Sequence, residues 1–328
     1  MKKFRVLILD LFFIASGIIG VGFATGKEIA HFFLGGRSAI VATLVFLCIF
    51  VGLCMYFLHI KYKHNITNLT MLNKMAFGKY YKIGNIVLIA LFIVTNSAML
   101  AGCDNLVRNY LGINLPIVSL FLSILTFFIV LGGVNRIKSI AHIGMPILIL
   151  IIIINACCNL KGNIDLGGSV ALDLVYPIVF CGQNFVSVIS VLLNTKSNPK
   201  PLSIVSGVVV SIVVLISAFA INGVNTSMPM LTISKNLGNV FFALYLMSVI
   251  FALFTTLEIT TYHCLQVTLK ANKDKYFTLS LILLASQIIA YLGFNFIVQY
   301  LYTFVGIISA FYLIVLIIKL IIINKKFK

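Results

Sequence analysis

Long apolar runs separated by short basic groups fix what this chain can become. Ten stretches read as candidate spans, at roughly 5–33, 38–60, 83–110, 114–133, 139–159, 171–193, 202–221, 239–269, 277–292 and 296–322. About 20 apolar residues suffice to cross about 30 Å of hydrocarbon. Every backbone polar group needs a partner there, so such runs become helices. The chain is 61% hydrophobic and 9% charged, against about 25% charged for a soluble domain. No polar stretch is long enough for a second domain. The expected fold class is an all-α polytopic membrane protein with ten transmembrane helices, one domain over 1–328. A soluble enzyme, a disordered tail and a disulfide scaffold are all excluded. The start, Met-Lys-Lys-Phe-Arg before an apolar run, imitates a secretory signal. Asp10 interrupts that run and no small-x-small cleavage site follows, so it reads as a first span.

The net charge of +17 does not mark nucleic-acid binding, because the charges form no single patch. They sit between apolar runs, as topology signals do. With a cytoplasmic N-terminus, 19 of the 24 Lys and Arg fall on one side. Lys27, Arg37, Arg108, Lys161 and Lys235 are the others. That split predicts ten spans with both termini cytoplasmic, and the Ile- and Lys-rich composition suggests a bacterial cytoplasmic membrane. The bilayer is then the first partner. Segment 61–82 reads as a short amphipathic piece on the membrane surface. The outer loop 222–238, with Met228-Pro229-Met230-Leu231, reads equally as a short lid or a plain loop. The seven cysteines lie in or at the ends of apolar runs, none spaced CxxC, and read as small packers.

The first run is about 29 residues long. As a straight helix it would reach about 44 Å, too long for the hydrocarbon. It contains Ser16-Gly17-Ile18-Ile19-Gly20-Val21-Gly22-Phe23-Ala24-Thr25-Gly26-Lys27-Glu28. Glycine leaves helical geometry at low cost, and unwound backbone survives in a membrane only where it lines a cavity or is buried in protein. The competing reading is a helix-packing face of small residues; Lys27 and Glu28 argue against it. The sixth run has its own interruption, from Asp173 through Pro177 to Gly182-Gln183-Asn184. Alone it also reads as a proline kink. Interrupted helices at matching positions of two halves point to a transporter site. Five spans is odd, so the halves, about 5–159 and 171–322, would form an inverted repeat.

The run GVGFATGKEIAHFF, residues 20–33, resembles the first-helix signature of the YkvI-like bacterial membrane proteins. Those belong to the amino acid–polyamine–organocation group with the leucine-transporter (five-plus-five inverted repeat) fold. The resemblance covers the whole chain in span count and is sharp only in the first helix. It implies a central substrate site lined by Gly20, Gly22, Thr25 and Gly26, and by Phe180, Gly182, Gln183 and Asn184. It also implies a possible sodium ion at Thr255 and Thr256; their hydroxyls would otherwise bond the carbonyl one turn back. No other cofactor is expected.

Ionisable residues inside a membrane are candidates for function. Glu28, Asp104 and Asp173 form an outer group, and Asp10, His142 and Glu258 an inner one, suited to gating or a proton relay. Interfacial solvation explains them as well. No P-loop, HExxH pair or GxSxG elbow is present. The expected function is secondary active transport of a small polar or zwitterionic solute, an amino acid or amine, driven by sodium or protons. The alternatives are a non-transporting sensor or assembly protein that keeps the fold, or a channel, which no ring of like charges supports.

Overall fold

The computed structural model describes residues 2–36, 38–112, 116–160, 169–269 and 274–326. Arg37, Lys161, Lys270, Lys273 and Lys328 of the charge pattern lie outside them. Every regular element among the described residues is helical. The first expected span is three helices, α1 Lys2–Ser16, α2 Val21–Ala24 and α3 Lys27–Phe33. Then come α4 Ala39–His64, α5 Leu69–Phe77, α6 Tyr81–Leu111, α7 Ile117–Leu131 and α8 Val134–Cys158. The remainder are α9 Val170–Leu192, α10 Pro199–Ile221, α11 Pro229–Ser234, α12 Asn239–Thr268, α13 Lys275–Ala290, α14 Phe294–Phe296 and α15 Thr303–Lys326.

Among the described residues six helices are long and apolar enough to cross a membrane, and the pair Val170–Gly182 and Asn184–Leu192, bent by 50°, makes a seventh if taken as one span. Helices α7 and α13 are apolar but shorter. The first expected span forms no single long helix because it is broken into α1, α2 and α3. Ser16 turns its hydroxyl onto the Phe13 carbonyl at 2.7 Å, ending α1. Gly20 then bonds back only two residues, to Ile18. Gly26, at φ 81°, starts α3 in a left-handed conformation that glycine adopts without penalty.

The chain divides into two compact units. The first comprises Met1–His59, Ile140–Cys181 and Thr195–Ala252; the second comprises Ile60–Ser139, Gly182–Asn194 and Leu253–Lys328. In the first unit α10 packs on α1, α3 and α11. Phe180 stands among Phe32, Phe33 and Phe46, with ring centroids 5.3–5.6 Å apart. In the second, α6 packs on α5, α7 and α13. Segment 61–82 becomes the last turn of α4, then α5, a 3₁₀ turn at Gly78–Tyr80 and the start of α6. Asn68 caps α5 through Met71 N–H at 2.8 Å. Buried Asn73 ties α5 inward, donating to Asn85 and accepting from Tyr312. All seven cysteines are free thiols, four of them buried.

Candidate functional site

The break in the first span is the centre of the first unit's polar chemistry. Gly20, Gly22, Thr25 and Gly26 are all buried. The space beside Gly22 is filled by the Glu28 side chain: a Cβ there would lie 2.3 Å from Glu28 Oε1. Glu28 is 9% exposed and sits in the first turn of α3, where the helix dipole favours a negative charge. The break thus brings a carboxyl group against Gly22, in the short helical turn between the two interruptions. On a straight helix, residues six apart point to different faces.

Helix α11 closes over the other side of the break. Met230 N–H donates to the Thr25 carbonyl at 3.0 Å. Asn155 Nδ2 donates to the Met230 carbonyl at 2.9 Å. The Met230 side chain fills the space that a Cβ on Gly26 would need. Tyr245, fully buried on α12, donates its hydroxyl to the Ala24 carbonyl at 2.7 Å. The Thr25 hydroxyl donates to the Val21 carbonyl at 2.7 Å. The segment around Met228–Leu231 is therefore a short helix docked on the break.

Two further expected residues serve backbone amides. Asp10 Oδ2 accepts from Lys196 N–H, Ser197 N–H and the Ser197 hydroxyl at 2.7–2.8 Å. Asp173 accepts from Ser38 N–H with both oxygens, at 3.0 and 3.1 Å. His142 is half-buried on α8. Phe180 is packed inside the aromatic cluster described above.

In the second unit, the Gly182 carbonyl accepts from the Ser309 hydroxyl at 2.7 Å. A Cβ on Gly182 would stand 2.6 Å from Ala310 Cβ. Gly182 therefore permits close helix packing. Asn184 is half-buried, and the Gln183 side chain lies outside the described residues. Thr255 and Thr256 are buried on α12, and the Thr256 hydroxyl has no hydrogen-bond partner among the described residues. Glu258, two residues on, is fully buried, and neither carboxylate oxygen has a hydrogen-bond partner among the described residues. Asp104 accepts from Ser119 N–H at 3.2 Å, satisfying a first-turn amide of α7.

Sequence reasoning passed over Asn96. It is fully buried on α6, donates to the Thr261 hydroxyl at 3.0 Å and accepts from the Thr260 hydroxyl. A lone amide inside an apolar span was its signal. Asn155 and Tyr245 carried the same kind of signal, a polar group inside an apolar helix.

The fold is similar to that of a Na+-coupled sialic acid symporter solved in a substrate-bound outward-open state. The TM-score is 0.65 at 14% identity, over 92% of this chain and 75% of that one. It is also similar to a manganese transporter of Eremococcus coleocola, solved as a mutant. There the TM-score is 0.55 at 12% identity, over 98% of this chain and 78% of that one. No family model matches the chain, and no curated protein matches it. The fold is thus a transporter-type, multi-pass membrane fold, and both relatives are transporters, not enzymes.

Proposed function

We propose that this chain is a secondary active transporter of a small polar or zwitterionic solute, an amino acid or an amine, working by alternating access. The proposal includes ten spans in a five-plus-five inverted repeat, both termini in the cytoplasm, and a YkvI-like affiliation. The observation that carries it is the first-helix break, with Glu28 folded against Gly22, within a fold similar to known transporters. Unwound backbone in a membrane offers carbonyls and N–H groups to a solute. A carboxylate at the break favours an ammonium group, so a solute with an amine fits better than a bare anion. Gly182, Gln183 and Asn184 are proposed as contributions from the sixth span, with Phe180 holding that helix in place.

The coupling ion is proposed to bind near Thr255–Glu258. An ionised carboxylate buried without a partner costs several kcal/mol, so Glu258 calls for a proton or a metal cation. The unpartnered Thr256 hydroxyl is an oxygen available to sodium. Among the described residues no group of three His, Cys, Asp or Glu side chains could hold a metal ion. The manganese of the second relative is therefore not carried over to this chain.

The test is a thermal-shift screen of purified protein against amino acids and amines, in sodium and in potassium. A ligand of the folded state raises the apparent stability by mass action. Amine-bearing solutes should raise Tm, and the chosen solute should then exchange in proteoliposomes. Binding without counterflow would leave a sensor and sink the transport reading.

A further inference from the structure

Asp10 and Asp173 make the same contact with the two halves of the chain exchanged. Asp10 lies on α1, at the start of the first broken span, and its partners are the amides of Lys196 and Ser197. Those amides lie in the turn that leads into α10, which begins at Pro199. Asp173 lies near the start of α9, the sixth expected span, and its partner is the amide of Ser38. That amide immediately precedes α4, which begins at Ala39. Each carboxylate therefore reaches from the first helix of one half to the amide that opens the second helix of the other. Both are nearly inaccessible, Asp10 at 4% and Asp173 at 2% exposure. The five contacting residues, Asp10, Ser38, Asp173, Lys196 and Ser197, all belong to the first unit.

The chain around each contact is cut to fit. A Cβ on Gly36 would fall 1.9 Å from Asp173 Oδ1, so only glycine lets the turn close on that carboxylate. At the other contact Ser197 adds its hydroxyl at 2.7 Å, so a single oxygen of Asp10 receives three donors. Such charge-assisted bonds are short and about twice as strong as neutral ones. A buried carboxylate without them would be costly. Neither contact follows from chain continuity, because the partners are 186 and 135 residues apart.

We infer that Asp10 and Asp173 are a reciprocal pair of positioning residues that tie α1, α4, α9 and α10 together. Two like contacts exchanged between halves are what an inverted repeat of one helix pair produces. In the proposed topology Asp10 closes its tie at the cytoplasmic face and Asp173 at the outer face. Each end of the four-helix group then has its own fastening, and one can be released without the other. The placement of the two faces rests on the transporter reading. The pairing of residues does not.

Hydrogen–deuterium exchange of the full chain in detergent tests the pairing with no substrate, so its outcome is separate from that of the transport assignment. Asp10→Ala should speed exchange in the peptide covering Lys196 and Ser197 by about tenfold or more, the factor that about 1.4 kcal/mol represents. The peptide covering Ser38 should stay as in wild type. Asp173→Ala should do the reverse. Asp10→Asn and Asp173→Asn keep an acceptor oxygen and should restore most of the protection. If Asp173→Ala does not accumulate, Gly36→Ala opens the same contact with the carboxylate retained. Unchanged exchange at the partner turn overturns the proposal. So does equal loosening of both turns by either variant, which would mark a general loss of packing.

Discussion

Gly22 and Gly26 are small for different reasons, and the two reasons separate under mutation. At Gly22 the backbone is ordinary and the constraint is the Glu28 carboxyl group, which a Cβ would meet at 2.3 Å. Gly22→Val should displace that group and abolish solute binding while the protein still inserts. Isothermal titration with the best solute of the thermal-shift screen would show it, and wild-type affinity in the variant would remove the break from the site. At Gly26 the backbone itself is left-handed, at φ 81°. A left-handed conformation costs an ordinary L residue about 1–2 kcal/mol. Gly26→Ala should lower Tm accordingly, with further strain from the Met230 contact. Glu28 could be read from the sequence as an ionisable residue near a span. Its position over Gly22 could not, because only the break brings the two together.

Helices were legible where their own hydrophobicity decides them. Each of the ten apolar stretches holds helix, since hydrocarbon leaves the backbone few other options. The break in the first span was legible from its glycines and its excess length. The docking of α11 was not. Its contact with Thr25 joins two backbone groups, which carry no residue signature, and Asn155 shows in the sequence as a buried amide without showing its partner. The α6–α12 contact is similar in kind, resting on Asn96 between Thr260 and Thr261. Asn96→Leu should destabilise the protein by about 1–3 kcal/mol, the cost of unmaking buried hydrogen bonds. On the same helix, Thr255→Val with Thr256→Val removes two oxygens at nearly constant volume. Stabilisation by sodium over potassium should vanish while the fold persists. If the wild type does not distinguish the two ions, protons become the coupling species and Glu258 their proposed carrier.

At the scale of the molecule, three lysines of the charge pattern reach across to other helices. Lys61 donates to the Leu192 carbonyl at 3.1 Å and Lys63 to Asn324 at 2.9 Å. Lys275 donates to the Leu131 carbonyl at 2.9 Å. In the first unit Asn236 donates to Asn159 at 2.9 Å. Basic residues near span ends set topology, and the expected ten-span order assigns these three lysines to one side. Charge counting could not foresee that Lys61 and Lys275 bond the last carbonyls of α9 and α7, a favourable place for a cation. Cysteines placed at Lys63 and Lys196, in a background without Cys48, Cys157 and Cys158, should be shielded from an impermeant thiol reagent in intact cells. One at Lys235 should react. Labelling of Lys196 and Lys235 from the same side would refute the ten-span order.

The carbonyls of Ala24 and Thr25 are not idle at the break, since Tyr245 and Met230 already occupy them. A solute that draws on either one enters a substitution reaction, in which one donor leaves as another arrives. The net gain of such a swap is small, because the bonds lost and made are of one kind. Affinity would then stay modest however many contacts form, and choice among solutes would rest on shape and on where their donors point. Release would be aided by the same means, with the tyrosine hydroxyl and the α11 amide standing by to take the carbonyls back.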